Sequence, residues 1–303
     1  MRTALPIHPF PARMAPDIAF EVLAEVRPRI VLDPMAGSGT VLRVASDAGC
    51  QGLGFDLDPL AVLIARVWNT PIEPGRIATR AERVVARARR LRPSRIRLPW
   101  IDEDPETSAF VNYWFAEPQR QDLRRLAWVL GRLDESPLRA ALLVALSRII
   151  ITKDVGASLA RDVSHSRPHR VRTTSDYDVF SGFRRAAERI DQILTEYPPR
   201  GNVAIDQGDA RDLRAVPDGH VDLIITSPPY LNAIDYMRAH RLSLVWMGYS
   251  LHQLRAIRAA SVGCERALPG ELPPDVARHL EEAGPPDGLP RACGASSPAT
   301  SST

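Results

Sequence analysis

Residues 29–40 read RIVLDPMAGSGT, and they contain the strongest indication of the fold. Its first part, 29–33, is an apolar run of strand length, and the glycine-containing turn after it leads into a helical pattern over 41–48. Strand, glycine turn and helix in this order open a nucleotide-binding α/β unit. A second strand is predicted at 52–56 and a second helix at 60–67. Two strand–helix units in succession predict a parallel sheet, and thus an α/β fold of the Rossmann-like type.

The middle of the chain has a different pattern. From 77 to about 197 helical periodicity dominates, so we interpret this part as a helical insertion between the second and third strands of the sheet. Its predicted parts are a helix over 77–91, a loop at 93–105, helices near 118–133 and 137–152, a polar loop to 175 and a helix ending at 196. The sheet resumes with strands at 202–205 and 221–226. The predicted regions are 1–75, 76–198, 199–260 and a tail at 261–303.

Composition narrows the class of protein. The 303 residues are 45% hydrophobic and 25% charged, which excludes a wholly disordered or fibrous chain. The formal net charge is only +3, and Lys153 is the sole lysine among 39 basic residues. The many arginines permit a nucleic-acid partner, because a guanidinium binds phosphate well. The balance of charge does not require such a partner.

Cysteine usage and hydropathy indicate a cytoplasmic protein. The three cysteines are too few and too scattered for a disulfide framework or a CxxC metal site, so no metal is predicted. The longest apolar stretch, 138–151, is broken by Arg139 and Arg148 and is too short to span a bilayer. No basic segment followed by an apolar core stands at the N-terminus.

The glycine turn predicts a cofactor site. Gly37 and Gly39 would let the backbone approach a ligand closely, because glycine has no Cβ and tolerates positive φ. Asp56 ends the second strand, 23 residues after Asp33, where an acidic side chain accepts hydrogen bonds from ribose hydroxyls. A tight turn with a capping aspartate is the alternative for a lone GxG. The glycine pair and Asp56 together favour an adenosine-containing cofactor.

The acid before the glycines selects among such cofactors. Neither GK[ST] nor GxGxxG fits the turn, and Asp33 would repel a pyrophosphate. A carboxylate suits a cationic ligand end, such as the ammonium of a methionine moiety, which favours S-adenosylmethionine over NAD. Asp209, after the third strand, is placed to accept from an adenine amino group. An exposed turn aspartate is an equal alternative for this residue.

The sequence Ser227-Pro228-Pro229-Tyr230 ends a fully apolar strand, which places it where open α/β enzymes bind ligands. Two prolines lack N–H groups and fix φ, so the carbonyls of Ser227 and Pro228 can be presented as rigid acceptors for an exocyclic amino group. The amino nitrogen could then attack a sulfonium methyl while Tyr230 stacks on the base. Such a base must leave its helix. A proline-terminated strand with an interfacial tyrosine is the structural alternative.

Two basic features could contact nucleic acid. The loop around 164–172 contains hydroxyl, imidazole and guanidinium groups that can donate to phosphates. Its candidate contacts, with one residue after the SPPY turn, are His165, Ser166, Arg167, His169, Arg170 and Asn232. An ordinary polar loop is an equal alternative. The arginines that recur at helical spacing in 76–90 are interpreted as a solvated face.

Four segments together resemble the motif set of the amino-group DNA methyltransferases: DPMAGSGT, GFDLDP, QGDARDL and TSPPY. HPFPARM at 8–14 is similar to the family segment that folds over the methionine end of the cofactor. The resemblance covers residues 6–70 and 200–250. It implies S-adenosylmethionine as cofactor and double-stranded DNA, with the target base flipped, as substrate. It also implies a restriction–modification setting, with a cognate restriction endonuclease as a partner and the insertion in target recognition.

The resemblance also assigns residues. As cofactor contacts it implies Phe10, Asp33, Pro34, Ala36, Gly37, Gly39, Thr40, Asp56 and Asp209. As catalytic residues it implies Ser227, Pro228, Pro229 and Tyr230. SPPY is most typical of the cytosine-N4 branch, although some adenine-N6 enzymes use it, so both products stay open.

The chain departs from the family pattern in two places. Met35 stands where the family commonly has Phe. The family sheet continues with about three more strands after the SPPY helix, whereas 261–303 offers no strand pattern and is expected to be disordered. We therefore expect the C-terminal strands to be missing, with the SPPY strand beside the Asp33 strand at an open edge. A truncated, inactive fragment that binds only cofactor or nucleic acid is the third functional alternative.

Overall fold

The computed structural model describes residues 5–10, 13–152, 155–161, 168–229 and 236–261, together with Arg278. Its central element is a four-stranded parallel sheet. The strands are β1 (Ile30–Asp33), β2 (Gln51–Asp56), β5 (Val203–Gln207) and β6 (Leu223–Ile224), in the order β5-β2-β1-β6. Two further strands, β3 (Ala160–Arg161) and β4 (His169–Arg170), form a separate antiparallel pair.

The register of the sheet confirms the predicted neighbours. In β1, Leu32 lies opposite Leu53 of β2 on one side and Ile224 of β6 on the other. The strand that ends in SPPY therefore lies beside the strand that ends in Asp33, and it is an edge of the sheet within the described residues. Paired on one side only, it is shorter than the predicted 221–226.

Eleven α-helices occur in the part of the chain that the structure describes. They are α1 (Pro16–Val26), α2 (Thr40–Asp47), α3 (Pro59–Asn69), α4 (Arg76–Arg89), α5 (Pro99–Asp102), α6 (Pro105–Trp114), α7 (Glu117–Leu130), α8 (Pro137–Ile150), α9 (Val179–Glu196), α10 (Tyr236–Leu244) and α11 (Leu251–Ala260). Short 3-10 turns lie at Pro93–Arg95 and Val245–Met247. None of the described helices combines the length and apolar character needed to cross a membrane.

Helix starts follow local chemistry. Asp58 caps α3, with its side chain accepting from the Leu60 N–H, and Pro59 occupies the first turn, where its missing N–H costs nothing. The same Asp-Pro pattern begins α6, where Asp104 accepts from the Glu106 and Thr107 N–H groups. The sequence pattern predicts no helix there, and it predicts a loop over the segment that contains α5. Both are therefore additions to the predicted insertion.

The helical insertion shares its hydrophobic core with the sheet domain. A single cluster of buried side chains contains residues of α3 and α10 as well as α4, α7, α8 and α9. Trp246 after α10 lies edge-on to Phe115 after α6, with ring centroids 5.0 Å apart. Core packing thus crosses the predicted boundary at 76, although the assignment of the insertion to target recognition stays a prediction. The predicted tail at 261–303 lies outside the described residues apart from Ser261 and Arg278.

Candidate active site

A cleft opens at the carboxyl ends of the four parallel strands, where open α/β sheets bind ligands. Its empty space amounts to about 1120 Å³, part of which is open solvent at the mouth of the cleft. Each strand contributes residues that follow it directly. Those lining the cleft include Asp33, Pro34, Ala36, Gly37, Thr40, Asp56, Asp209, Ser227 and Pro229, together with Phe10 from the N-terminal segment. The fold therefore brings most of the predicted cofactor residues to two of the predicted catalytic ones.

The two glycines of the turn have different roles. Gly37 lines the cleft at φ +50°, and its N–H donates to Oδ2 of Asp56 at 2.8 Å. Gly39 precedes α2 at φ +85°, and a Cβ added there would lie 2.7 Å from Cβ of Ala65 in α3. Gly39 is not among the residues that line the cleft. A glycine is needed here for close packing of the turn against α3, and the predicted cofactor contact at Gly39 stays a prediction.

Asp33 is nearly buried, with 3% exposure, and lines the cleft. Its Oδ1 accepts from the Thr226 hydroxyl at 2.8 Å and from the Met35 N–H at 3.2 Å. Its Oδ2 accepts no hydrogen bond from the residues that the structure describes. Burial raises the pKa of this carboxyl to about 6, although both hydrogen bonds act in the opposite direction. A carboxylate with one unused oxygen in a partly desolvated cleft suits a cationic ligand group.

Asp56 orders the turn as well as lining the cleft. Its two oxygens accept from the backbone N–H groups of Gly37, at 2.8 Å, and Asp58, at 2.9 Å. Burial and the nearby charge of Asp58 raise its pKa to about 6. Each carboxylate oxygen still has a second acceptor position, so hydrogen bonds from ribose hydroxyls remain compatible with these contacts.

Asp209 lines the cleft, but its carboxylate is engaged by a neighbour. Nε of Arg211 donates to its Oδ1 at 2.9 Å, and the Arg211 N–H donates to the same oxygen at 2.9 Å. Hydrogen bonding from Arg211 holds the pKa of Asp209 below its ordinary value. An adenine amino group would have to share this carboxylate with Arg211, a competition that the sequence did not reveal.

The SPPY element lies at the end of β6. Ser227 and Pro229 line the cleft, with Pro228 between them. Tyr230 and Asn232 lie outside the described residues. The residue before the motif, Thr226, makes the hydrogen bond to Asp33, and our sequence analysis gave it no role. Its position in TSPPY, one residue before the predicted acceptors, was the available signal.

An aromatic cluster lies on one side of the cleft. The rings of Phe10 and Tyr236 are stacked with centroids 5.6 Å apart at 17°, and His240 lies 5.2 Å from Phe10. His240 in turn contacts the carboxylate of Asp58 through Nδ1, and both side chains are nearly buried. This contact joins α10 to the residue that caps α3, two positions after the end of β2. Sequence reasoning did not find this pair, because its members are 182 positions apart.

The predicted phosphate contacts are not at the cleft. His169 and Arg170 form β4, both are exposed, and neither lines the cleft. The guanidinium of Arg170 lies 4.6 Å from the ring centroid of Tyr113. His165, Ser166 and Arg167 lie outside the described residues. Their contact with nucleic acid stays a prediction.

Two buried hydroxyls of the turn have no hydrogen-bond partner among the described residues. Oγ of Ser38 and Oγ1 of Thr40 are buried and make no hydrogen bond in the described part of the chain, although both residues line the cleft. Unsatisfied buried polar groups are rare in native structures and call for an explanation. A polar ligand at the start of α2 would supply one. No group of three His, Cys, Asp or Glu side chains suited to a metal ion occurs among the described residues.

The parallel sheet, with the cleft at its carboxyl edge, is a Rossmann-like methyltransferase fold. The chain is similar to Type II methyltransferases: it is 23% identical over 282 residues to M.MvaI of Kocuria varians, covering 79% of this chain and 56% of that protein. It is 26% identical over 273 residues to M.AvaI of Nostoc sp., covering 77% of this chain and 51% of that protein. A shorter match, 40% over 55 residues, covers 17% of this chain and 11% of M.BsoBI of Geobacillus stearothermophilus.

These similarities have a limited extent. The chain spans about half the length of the two relatives with the longer matches. No protein-family model matches the chain, and no solved structure matches it significantly.

Proposed function

We propose that this chain is the catalytic part of an S-adenosylmethionine-dependent DNA methyltransferase that modifies an exocyclic amino group, cytosine N4 in the first place. The observation that carries this proposal is the hydrogen bond from Thr226 to Asp33, which joins the residue before SPPY to the acid of the glycine turn. The similarity to Type II methyltransferases supports the same reaction class.

The residues of the cleft fit the cofactor. Asp33 would hold the ammonium of the methionine moiety through its unused oxygen, and Asp56 would accept from the ribose hydroxyls. The hydroxyls of Ser38 and Thr40 would gain hydrogen-bond partners from the cofactor. The ring of Phe10 lies close to the turn, because a Cβ added to Gly37 would be 3.4 Å from it. When bound, the cofactor supplies a sulfonium methyl group for transfer.

The protein's own residues would act on the target base. The carbonyls of Ser227 and Pro228 accept hydrogen bonds from the amino group, which frees its nitrogen lone pair. Pro229 holds this backbone rigid because its φ is fixed and it has no N–H. Tyr230 would stack on the flipped base, and the DNA would supply that base from a duplex.

The direct test is incubation of the purified chain with labelled S-adenosylmethionine and mixed duplex DNA, followed by digestion and identification of the modified nucleoside. We expect N4-methylcytosine. N6-methyladenine would instead support the alternative of an adenine-N6 enzyme, since some of these also use SPPY. Asp33→Asn is the matched control, since it retains the acceptor oxygen for Thr226 and removes the charge that the ammonium needs.

Two further variants separate binding from turnover. Tyr230→Ala should bind cofactor like the parent and lose methyl transfer, because stacking on a base is worth about 1–3 kcal/mol. Cofactor binding without transfer in the parent would favour the alternative of an inactive fragment. Absence of cofactor binding in calorimetry would contradict the proposal as a whole. A cognate restriction endonuclease is a further proposed partner, for which the support is the relatives' Type II class.

A further inference from the structure

The positive charge of this protein is concentrated in one short segment. Residues 76–98 contain nine of the 39 basic residues but only one of the 36 acidic ones, Glu82, which is a formal +8 in 23 residues. The remaining 30 basic and 35 acidic residues leave a formal −5 for the rest of the chain. A segment so different in charge from the rest of the protein is a candidate interaction surface.

The segment presents its arginines on one side. In α4 the residues Ile77, Ala81, Val84, Val85 and Ala88 are buried against the insertion core. The arginines at positions 76, 80, 83, 87 and 90 recur three or four residues apart and so lie on one helical face, about 120° from the buried one. At ~1.5 Å per residue this row is about 21 Å long. Arg92 and Arg95 follow it, and both are exposed.

Most of these charges have no acidic partner among the residues that the structure describes. We use "arginine face" for Arg80, Arg83, Arg87, Arg90, Arg92 and Arg95. No carboxylate of a described residue pairs with any of them, and the carboxylate of Glu82 pairs instead with Arg184, at 3.4 Å. The guanidinium of Arg87 lies over the ring of Trp128. The guanidinium of Arg132 lies over the same ring, 3.8 Å from its centroid. Like charges three or four residues apart on a helix repel one another, so the face is destabilising without a partner.

We propose that the arginine face binds the phosphate backbone of duplex DNA, at a place separate from the cleft. No residue of α4 lines the cleft. A DNA strand presents a phosphate every ~3.4 Å along the DNA axis. The helical part of the arginine face, from Arg80 to Arg90, is about 15 Å long at ~1.5 Å per residue, so it spans roughly four phosphates. Guanidinium groups bind phosphate oxygens in a bidentate manner and carry no information on base sequence, so this surface would hold and orient the DNA. This inference rests on the proposed function.

The test measures binding of the full chain to a fluorescein-labelled 30-base-pair duplex by fluorescence anisotropy, at several salt concentrations. The variant is the triple substitution Arg83→Gln, Arg90→Gln and Arg95→Gln. Three lost phosphate contacts should lower the slope of log K against log salt by about 2.7 and weaken binding at 100 mM salt by at least about tenfold. The same three positions changed to Lys should restore most of the slope, because lysine still binds phosphate as a point charge.

The matched control removes the same charge elsewhere through Arg29→Gln, Arg200→Gln and Arg214→Gln, of which Arg29 and Arg214 have side chains 90% and 89% exposed. Its slope should stay within about 0.5 of the parent's, which is less than one phosphate contact. Equal losses in both triples would mean that binding follows net charge alone, and would overturn the inference.

Three other outcomes are decisive. Parental binding with an unchanged slope in the Gln triple would overturn the arginine face and leave the proposed function standing. A parent that does not bind duplex DNA at 50 mM salt would overturn both. Binding of the face to anionic phospholipid vesicles but not to DNA would also overturn the inference. If the Gln triple melts at a lower temperature than the parent, the single variant Arg83→Gln should still lower the slope by about 0.9.

Discussion

The hydroxyl of Thr226, at the end of the SPPY strand, donates a 2.8 Å hydrogen bond to Oδ1 of Asp33, at the end of β1. Parallel pairing of β1 with β6 brings the two strand ends together, although the residues are 193 positions apart. The proposed base site and the proposed cofactor site therefore share one buried carboxyl. A substitution of Thr226 should therefore affect the cofactor site, and a substitution of Asp33 should affect the base site.

Thr226→Val should weaken cofactor binding at pH 7. The substitution removes a donor from a buried carboxylate, and a hydrogen bond to a charged group stabilises the ionised form by about 1.5–3 kcal/mol, so its loss leaves less carboxylate for a cationic ligand. The pKa of Asp33 should then rise further above 6, because the Thr226 hydrogen bond lowers it at present. Calorimetric titration with S-adenosylmethionine measures the loss. Thr226→Ser retains the hydroxyl and should bind like the parent; a matching loss in that variant would contradict the account.

Cofactor binding should depend on pH through Asp33. With its pKa at about 6, the carboxyl is ionised at pH 7 and mostly protonated at pH 5, so a cationic ligand group loses its partner as the pH falls. For one group this weakens binding by about tenfold from pH 7 to pH 5. Asp56, with a pKa of about 6 as well, adds to the effect. Asp33→Asn should bind the cofactor weakly at pH 7. It should also reduce the ratio of the affinity at pH 7 to the affinity at pH 5 by about tenfold. An unaltered ratio would show that Asp33 does not contact the cofactor.

Asp33→Asn should also stabilise the free protein at neutral pH. The pKa of Asp33 is raised from 3.8 to about 6, so the folded state favours the protonated form. The protonated carboxyl therefore stabilises the folded state, and this stabilisation is fully present below pH 3.8 and is lost as the pH rises through 6. A neutral amide should recover on the order of 2–3 kcal/mol at pH 8 and little at pH 4. Urea unfolding at both pH values measures this, and a variant less stable than the parent at pH 8 would contradict it.

Gly39→Ala should be more destabilising than Gly75→Ala. Both glycines precede helices with positive φ, at +85° and +79°, so both substitutions cost about 1–2 kcal/mol of backbone strain. Only at Gly39 would the new Cβ meet a neighbour, Cβ of Ala65 at 2.7 Å, whereas nothing lies within 4 Å at Gly75. Overpacking should add a further ~1–3 kcal/mol at Gly39. Equal midpoints in urea unfolding would show that the turn can shift away from α3.

Leu32 and Ile224 occupy one row of the sheet but differ in exposure, at 2% and 57%. Leu32→Ala should cost about 2–5 kcal/mol, because it leaves a cavity in the centre of the sheet. Ile224→Ala should cost less than about 1 kcal/mol, since most of its side chain is already in water. An exposed apolar residue on an edge strand also favours pairing with another chain, so Ile224→Ala should reduce self-association. Sedimentation velocity measures the association, and thermal unfolding of both variants checks the stabilities.

Several features followed from the sequence because they depend on local patterns. The apolar runs before Asp33 and Asp56 have strand length and end in turn residues, and β1 and β2 end at those two aspartates. The Asp58-Pro59 pair marked the start of α3. The family resemblance led to the expectation that the SPPY strand lies beside β1, and the register confirms that these strands pair. The strand ends and the helix start needed only neighbours in the chain.

Other features were decided by tertiary structure alone. Whether Gly39 contacts a ligand or a helix depends on Ala65, which approaches it only after α3 has packed. The hydrogen bond between Asp58 and His240 and the one between Thr226 and Asp33 join residues that no local pattern relates. The sequence predicted chemistry from residue types at strand ends, because backbone periodicity places those ends at one edge. Which partner each carboxylate meets there depends on the packing of side chains far apart in the chain, and only the folded structure decides it.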